Sequence, residues 1–156
     1  MPLQLYVTTH PGQLVTIDIV EYLKSNRGSQ YCLVMIDHFT KWLELFPLRN
    51  QKSETVAKKI VDGWIPGHGA PEQLHSDQGT NLNSKIIEEI CKNLEVLKTR
   101  TTPYHPQSDG ASERSIRTVN AMLAKVVSED QKNWDLYLSS TCLSYSTASH
   151  SSIKYT

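Results

Sequence analysis

The sequence predicts an α/β fold built on a mixed five-stranded sheet with helices on its faces. Three strand-like runs come first, separated by short polar turns, which is typical of an antiparallel meander. Further on, strand-length apolar pieces alternate with stretches of helical periodicity, which favours parallel pairing. Together the two patterns imply one sheet with both kinds of pairing, and 156 residues suit a single domain.

Five segments are predicted as strands because they are short, apolar and rich in β-branched residues. They cover residues 14–20, 31–36, 41–47, 72–76 and 96–99. The polar link KSNRGSQ between the first two is short enough for a hairpin turn. The first three strands are therefore expected to pair in chain order.

Four segments are predicted as helices from apolar residues spaced three and four apart. They cover residues 53–64, 85–94, 111–127 and 134–145. Ser53 and Ser84 are expected to cap the first two, and Pro66 with Gly67 to end the first. The tail SHSSIKYT is predicted to be non-helical.

Composition excludes several classes of protein. With 38% apolar and 21% charged residues and a net charge of zero, the chain fits neither disordered nor membrane proteins, and no apolar run approaches the ~20 residues needed to span a bilayer. Cys32, Cys91 and Cys142 form no CxxC pair, which argues against a disulfide framework or a finger-type zinc site and favours buried thiols. A net charge of zero is unusual for a protein that binds the phosphate backbone of nucleic acid, because such proteins are usually basic.

Three acidic residues stand where a carboxylate could hold a hard cation against a phosphate. Asp18 lies inside an apolar strand, where a charge is costly unless it is paired or coordinated. Asp77 ends a predicted strand before a glycine-containing turn, and Glu113 begins the polar face of a helix. Spacing alone is weak evidence, because 16 of the 156 residues are acidic. Each acid also has a simpler alternative role: Asp18 could be satisfied by a local lysine or backbone N–H, Asp77 could merely form a turn, and Glu113 could merely favour the helix start.

The strings around these acids are more specific. They are TIDIVEY, LVMIDHFTKWLELFPL, GAPEQLHSDQGTN and TPYHPQSDGASERSIRT. The chain resembles the catalytic core of retroviral and LTR-retrotransposon integrases, most closely those of the gypsy class, over nearly its whole length. Two departures concern local packing and remove no carboxylate: Glu21 and Tyr22 replace a usual Gly-Pro pair, and Leu82 replaces a usual aromatic residue.

The resemblance implies a ribonuclease H-like fold and a metal-binding catalytic triad of Asp18, Asp77 and Glu113. Two Mg²⁺ or Mn²⁺ ions would activate water or a DNA 3′-hydroxyl for in-line attack and stabilise the leaving oxygen. Three carboxylates leave part of the ions' charge to balance a phosphodiester that gains negative charge in its transition state. The implied activity is that of a polynucleotidyl transferase that processes DNA 3′ ends and joins them to target DNA.

DNA contacts are expected from the loop before the last acid and from the helix that carries it. The candidate residues are Tyr104, His105, Gln107, Arg114, Arg117 and Asn120. The alternatives are that Arg117 and Asn120 form a solvated helix face, and that Tyr104 shields the site rather than stacking on a base. The loop at residues 103–110 is expected to be poorly ordered without DNA.

The resemblance also carries expectations about organisation and partners. Residues 1–156 are interpreted as the catalytic core alone, without the zinc-binding and carboxy-terminal DNA-binding modules that flank it in the family. The expected partners are element ends and target DNA, the expected assembly is a homodimer or higher multimer, and the expected compartment is the nucleus. Trp64, Trp134 and Tyr137 are candidate interface residues or, alternatively, core residues.

Two alternatives remain open from the sequence. Asp37 also ends a strand, but it is interpreted as a structural acid rather than a metal ligand. A domesticated core that binds nucleic acid or protein without strand transfer is the alternative function; the intact triad favours the enzyme.

Overall fold

The computed structural model describes residues 8–77, 79–100, 110–126 and 131–153. Its five strands are β1 (Leu14–Glu21), β2 (Tyr31–Asp37), β3 (Leu43–Leu48), β4 (Gln73–Ser76) and β5 (Leu97–Arg100). They form one sheet in the order β3-β2-β1-β4-β5. The first three strands are antiparallel neighbours, whereas β1, β4 and β5 run parallel, so the predicted mixed sheet is confirmed.

The helices lie on both faces of this sheet. They are α1 (Ser53–Lys59), a π-helical turn (Ile60–Trp64), α2 (Ile65–His68), α3 (Lys85–Asn93), α4 (Gly110–Val126), a 3₁₀ helix (Gln131–Tyr137) and α5 (Leu138–Ile153). Among the described residues, no helix combines the length and apolar character needed to cross a membrane.

Alternation along β2 divides the core into two clusters. Leu33 and Met35 pack on one face with the residues of α1 and α3, while Cys32, Val34 and Ile36 pack on the other with α4 and α5. Successive side chains of a strand point to opposite faces, so a continuous apolar run such as β2 is typical of a strand covered on both sides. The central strands of the sheet are thus buried between two helical layers.

The predicted interface aromatics belong largely to this core. Trp64 is 1% exposed and Trp134 is 3% exposed, in the first and second cluster respectively, and Tyr137 is half-buried against the second. Trp134 also donates from its indole nitrogen to the backbone oxygen of Leu23, at 2.7 Å. The suggestion that Trp64 and Trp134 present an interface is therefore wrong, because a single 156-residue core needs their volume.

The first helical segment runs further than its sequence predicts. Pro66 and Gly67 do not end it; the chain passes through the π-helical turn into α2 and ends at Gly69, which has a φ of 79°. A proline inside an α-helix normally breaks it, but Pro66 stands at the start of a new α turn, where its missing N–H costs least. The wide turn before it thus lets the helix continue.

Two smaller expectations differ from the structure, and a third is confirmed. Ser53 is not the cap of α1: Lys52 holds that position, and the Ser53 hydroxyl donates instead to the backbone oxygen of Asn81, at 3.3 Å. Ser84 does cap α3, because its side chain accepts from the Ile87 N–H. The predicted non-helical tail is wrong for residues up to Ile153, where α5 continues through a stretch with no proline or glycine.

The cysteine thiols are free. Cys32 and Cys91 are buried, as the sequence predicts, whereas Cys142 is only half-buried. Burial raises the pKa of Cys142 to about 11, so this thiol keeps its proton at neutral pH.

Candidate functional site

Asp18 lies in the middle of β1, which is the central strand of the sheet. Its backbone pairs with Val34 of β2, and its Oδ1 accepts the Ile19 N–H at 2.8 Å. Val15 and Ile17 point into the first cluster, so alternation places Asp18 on the opposite face, which α4 and α5 cover. The side chain is half-buried there.

Asp77 follows β4 directly, on the strand beside β1. The parallel register pairs Thr16 with His75, and two residues further along each strand are Asp18 and Asp77. Adjacent strands are only about 4.8 Å apart, so this register brings the two acidic residues to the same level of the sheet. Asp77 is exposed at the end of its strand.

A tight turn holds the Asp77 carboxylate. Its Oδ1 accepts the backbone N–H of Gly79 at 2.9 Å. A Cβ atom on residue 79 would lie 3.0 Å from the same oxygen, a separation that real Cβ atoms rarely show. Glycine at this position therefore leaves room for the carboxylate against the turn.

Asn83 and Lys98 brace this turn from the other side. The Asn83 side-chain nitrogen donates to the backbone oxygens of Asp77 and Gly79, both at 2.7 Å. The Lys98 Nζ donates to the Asn83 Oδ1 at 2.9 Å, to the Ser76 Oγ at 2.7 Å and to the Thr99 oxygen at 2.8 Å. Sequence reasoning missed both residues.

Burial shifts the pKa of Lys98. Desolvation lowers its pKa to about 8, and Arg100 acts in the same direction, while Cys91, Asp77 and Glu88 raise it. A lysine inside the predicted strand beside Asp77 is the one signal that could have marked it, because a strand lysine turned toward a helix must find acceptors. Three acceptors are what the structure supplies.

Glu113 lies in the first turns of α4. This helix packs on the same face of the sheet as Asp18, through Val119 and Leu123. The Glu113 side chain is outside what the structure describes. Among the described side chains, no group of three His, Cys, Asp or Glu residues is arranged to hold a metal ion.

The described donors nevertheless suit a hard divalent cation. Asp18 and Asp77 provide carboxylate oxygens, which Mg²⁺ prefers and which leave room for water and phosphate oxygens in its shell. Asp77 is exposed and Asp18 half-buried, so both lie where a phosphate could approach. The residues present fit such an ion, with Glu113 as the third candidate.

The predicted DNA-contacting residues divide into two sets. Tyr104, His105 and Gln107, like the rest of the loop at residues 103–109, fall outside the described residues. Arg114, Arg117 and Asn120 are exposed on α4.

Asn120 has a structural contact in addition. Its Oδ1 accepts from the Tyr22 hydroxyl, and the Tyr22 ring lies 4.8 Å from that of Trp134. Burial raises the pKa of Tyr22, which keeps its hydroxyl protonated and able to donate. Asn120 thus ties α4 to the end of β1, whatever else it contacts.

Asp37 has the structural role that its sequence context suggested. The residue is 5% exposed at the end of β2. Its Oδ2 accepts the Gly12 N–H at 2.8 Å, and its Oδ1 accepts the N–H groups of Phe39 and Thr40 at 2.9 and 3.3 Å. Three backbone donors thus satisfy this buried carboxylate, and it organises the turn between β2 and β3.

A groove of about 500 Å³ lies between β3 and α5. Trp42, Phe46 and Leu143 line it, together with Glu44 and Cys142. Trp42 is 43% exposed and Leu143 is 70% exposed. The groove is therefore a partly apolar surface.

Comparisons with known proteins agree on one family. The family model described as "Integrase core domain" matches residues 8–106. The Retrovirus-related Pol polyprotein from transposon 412 of Drosophila melanogaster is 34% identical over 130 residues, which is 83% of this chain and 10% of that protein. The chain thus spans about a tenth of the length of this curated relative.

Solved structures give the same fold. The catalytic core domain of BIV integrase aligns with a TM-score of 0.70 and 27% identity, over 85% of this chain and 82% of that one. The HTLV-2 integrase catalytic core domain, solved with magnesium in trimeric and dimeric forms, aligns at 17% identity with a TM-score of 0.65, over 85% of this chain. At that identity the second likeness concerns the fold alone.

Proposed function

The chain belongs to the integrase core domain family, and from that premise we propose that it processes DNA 3′ ends and joins them to target DNA. Homology ties the chain to DNA integration and to a family of polynucleotidyl transferases. The observation that carries the proposal is the register of β1 and β4, which sets Asp18 and Asp77 at one level of adjacent strands. The ribonuclease H-like fold that the sequence implies is shared with the BIV core.

Two divalent cations, either Mg²⁺ or Mn²⁺, would activate the attacking hydroxyl and neutralise charge on the phosphate. Asp18, Asp77 and Glu113 would hold them. The magnesium in the HTLV-2 core structures supports this choice. No protein side chain needs to act as a nucleophile, because water or a DNA 3′-hydroxyl attacks.

This chain's own residues contribute orientation and charge. The Gly79 N–H holds one oxygen of Asp77, and the Ile19 N–H holds one oxygen of Asp18, which limits the rotation of both carboxylates. Because the two carboxylates are already held in place, little free energy is spent on reorienting them when charge develops on the phosphate. Arg114 and Arg117 are exposed on the helix that carries Glu113, which supports the proposal that they contact DNA phosphates.

We also propose that the chain works as a homodimer or higher multimer, because two DNA ends must meet one target. The dimeric and trimeric forms of the HTLV-2 core support this proposal. The exposed Trp42 and Leu143 beside the groove give this chain an apolar surface suited to a second copy.

The test is a strand-transfer and disintegration assay with Mg²⁺ and with Mn²⁺. We expect Asp18→Asn, Asp77→Asn and Glu113→Gln each to lower the rate by at least ~100-fold, because loss of even an outer partner of a metal ligand costs about 10- to 100-fold. The asparagine variants keep an oxygen for the Ile19 and Gly79 N–H groups, so the turn and strand should fold.

Asp62→Asn is the matched control, since Asp62 is exposed on the π-helical turn, apart from β1 and β4. Its rate should equal that of the unsubstituted chain. DNA binding without either reaction, in both metals, would contradict the enzyme and favour a core that only binds nucleic acid.

A further inference from the structure

Side chains that are not candidate metal ligands hold the turn that carries Asp77 through hydrogen bonds. Ser76 and Leu74 alternate with His75 along β4, and Leu74 belongs to the first cluster, so Ser76 points to the face covered by α1 and α3. Lys98, paired with Leu74 on β5, lies on this same face. Asp18 lies on the other face. Lys98 therefore reaches the turn from the side opposite the candidate site.

Its hydrogen bonds lead to the backbone of Asp77 by two routes. Through the first, Lys98 holds the Asn83 Oδ1, and the Asn83 amide nitrogen then holds the backbone oxygens of Asp77 and Gly79. Through the second, Lys98 holds the Ser76 Oγ, whose hydroxyl donates to the Asp77 oxygen at 3.1 Å. Both routes end on the backbone oxygen of Asp77, and the first also holds the backbone oxygen of Gly79.

Gly79 connects this brace to the carboxylate itself. Its oxygen accepts from Asn83, while its N–H donates to the Asp77 Oδ1. A shift of the Gly79 backbone would therefore move the carboxylate, and the absence of a Cβ atom on Gly79 allows the close contact. Ser76 is 2% exposed and Lys98 half-buried, so water competes little for these bonds.

We propose that Lys98 and Asn83 are positioning residues that fix the Asp77 carboxylate for a divalent cation. The inference rests on the proposed function, since Asp77 must be a ligand for the brace to matter. A lysine suits the task because one ammonium group carries three donors and here meets three acceptors. Neither residue contacts DNA or the cation in this role.

The test measures Mn²⁺ and Mg²⁺ affinity by isothermal titration calorimetry on the 156-residue chain, beside the rate of disintegration. Lys98→Met keeps the stem and removes all three donors. Asn83→Leu keeps the approximate shape of the side chain and removes the route through Asn83. Because position 83 is half-buried at the surface, this variant should fold even if the lysine variant does not. Lys92→Met, on the exposed last turn of α3, is the matched control.

We expect Lys98→Met and Asn83→Leu each to weaken cation binding by about tenfold, the lower end of the range for outer partners of metal ligands, with Lys92→Met unchanged. The double variant should be little weaker than Lys98→Met alone, because Asn83 lies on one of the two routes that begin at Lys98. Melting temperatures without metal separate this effect from loss of fold, since a purely structural role would lower stability and leave affinity intact in the folded fraction.

Unchanged affinity in both single variants would overturn the inference. Full additivity in the double variant would show that Asn83 does not act on a route from Lys98, and weakening by Lys98→Met alone would overturn the route through Asn83. Asp77→Asn separates the inference from its premise: if that variant binds metal as tightly as the unsubstituted chain, the proposed site itself fails, whereas a large loss there with normal Lys98→Met affinity defeats only the brace.

Discussion

Asp37 and Asp18 are both acidic residues on central strands, yet they differ in what surrounds them. Three backbone N–H groups satisfy the buried Asp37 carboxylate, whereas Asp18 lies beside β4, the strand that Asp77 follows. Val15, which pairs with Asp37, is three residues from Asp18 along β1, a distance of about 10 Å. The two acids are therefore separable by mutation.

We predict that Asp37→Ala lowers the free energy of unfolding by about 2–4 kcal/mol, because it leaves buried donors without their charged acceptor. Denaturant unfolding measures this loss. Cation affinity of the folded protein should stay within about twofold of the original, as read by calorimetry. A large loss of affinity together with unchanged stability would mean that Asp37 is a ligand after all.

At the level of single residues, the sequence reveals the acids but not what holds them. Asp18 and Asp77 stand in strings specific enough to predict a metal-binding role, and Asp37 is predicted to be structural, which its three backbone donors support. Lys98 and Asn83 were missed because their partners lie 15 or more residues away or are backbone atoms. Residue type alone cannot reveal a hydrogen bond that exists only once β4 and β5 have paired.

The helical segment from α1 to α2 illustrates the limits of prediction for elements. Its start and its apolar spacing were predicted, but Pro66 and Gly67 were expected to end it. The π-helical turn changes the hydrogen-bonding frame just before Pro66, with the Ile65 N–H bonded to the Ile60 oxygen. A rule based on regular α-helices does not anticipate such a turn.

Gly63 within that turn is packed against β3. A Cβ atom at this position would lie 2.7 Å from Cε1 of the Phe46 ring. We predict that Gly63→Ala lowers the free energy of unfolding by about 1–3 kcal/mol, the usual cost of overpacking, because the ring has to shift. Thermal or denaturant unfolding gives the measurement.

Gly67 provides a matched control for this substitution. It lies in the same helical run, in α2, but nothing is within 4 Å of the position its Cβ would take. Gly67→Ala should therefore be neutral or raise stability by up to about 1 kcal/mol, since alanine is the better helix former. Equal destabilisation by both substitutions would show that the backbone of the turn, rather than Phe46, requires glycine.

On the scale of the whole molecule, an apolar surface lies beside the groove between β3 and α5. With Trp64 and Trp134 in the core, the exposed large residues Trp42 and Leu143 are the better candidates for contact with a second copy. We predict that light scattering over a concentration series detects a dimer or larger species, and that Leu143→Asp shifts the chain toward monomer by placing a charge in the contact.

Leu136→Asp serves as the comparison for this shift. Leu136 is 45% exposed on the 3₁₀ helix and does not line the groove. Its variant should associate as the unsubstituted chain does. A strict monomer at tens of micromolar would contradict association of this chain alone, and equal effects of the two substitutions would place the contact elsewhere.

The sheet order also dictates when the candidate site can form during folding. The β1–β2–β3 meander pairs strands that are neighbours in sequence. Asp18 and Asp77, in contrast, are brought to the same level only when β1 pairs with β4, and the paired residues of these two strands are 59 residues apart in the sequence. Contacts between distant segments form late because closing a long loop costs entropy first. A nascent chain that has emerged only through β3 therefore has a partial sheet without the paired acids, and cation affinity should appear only with the fourth strand.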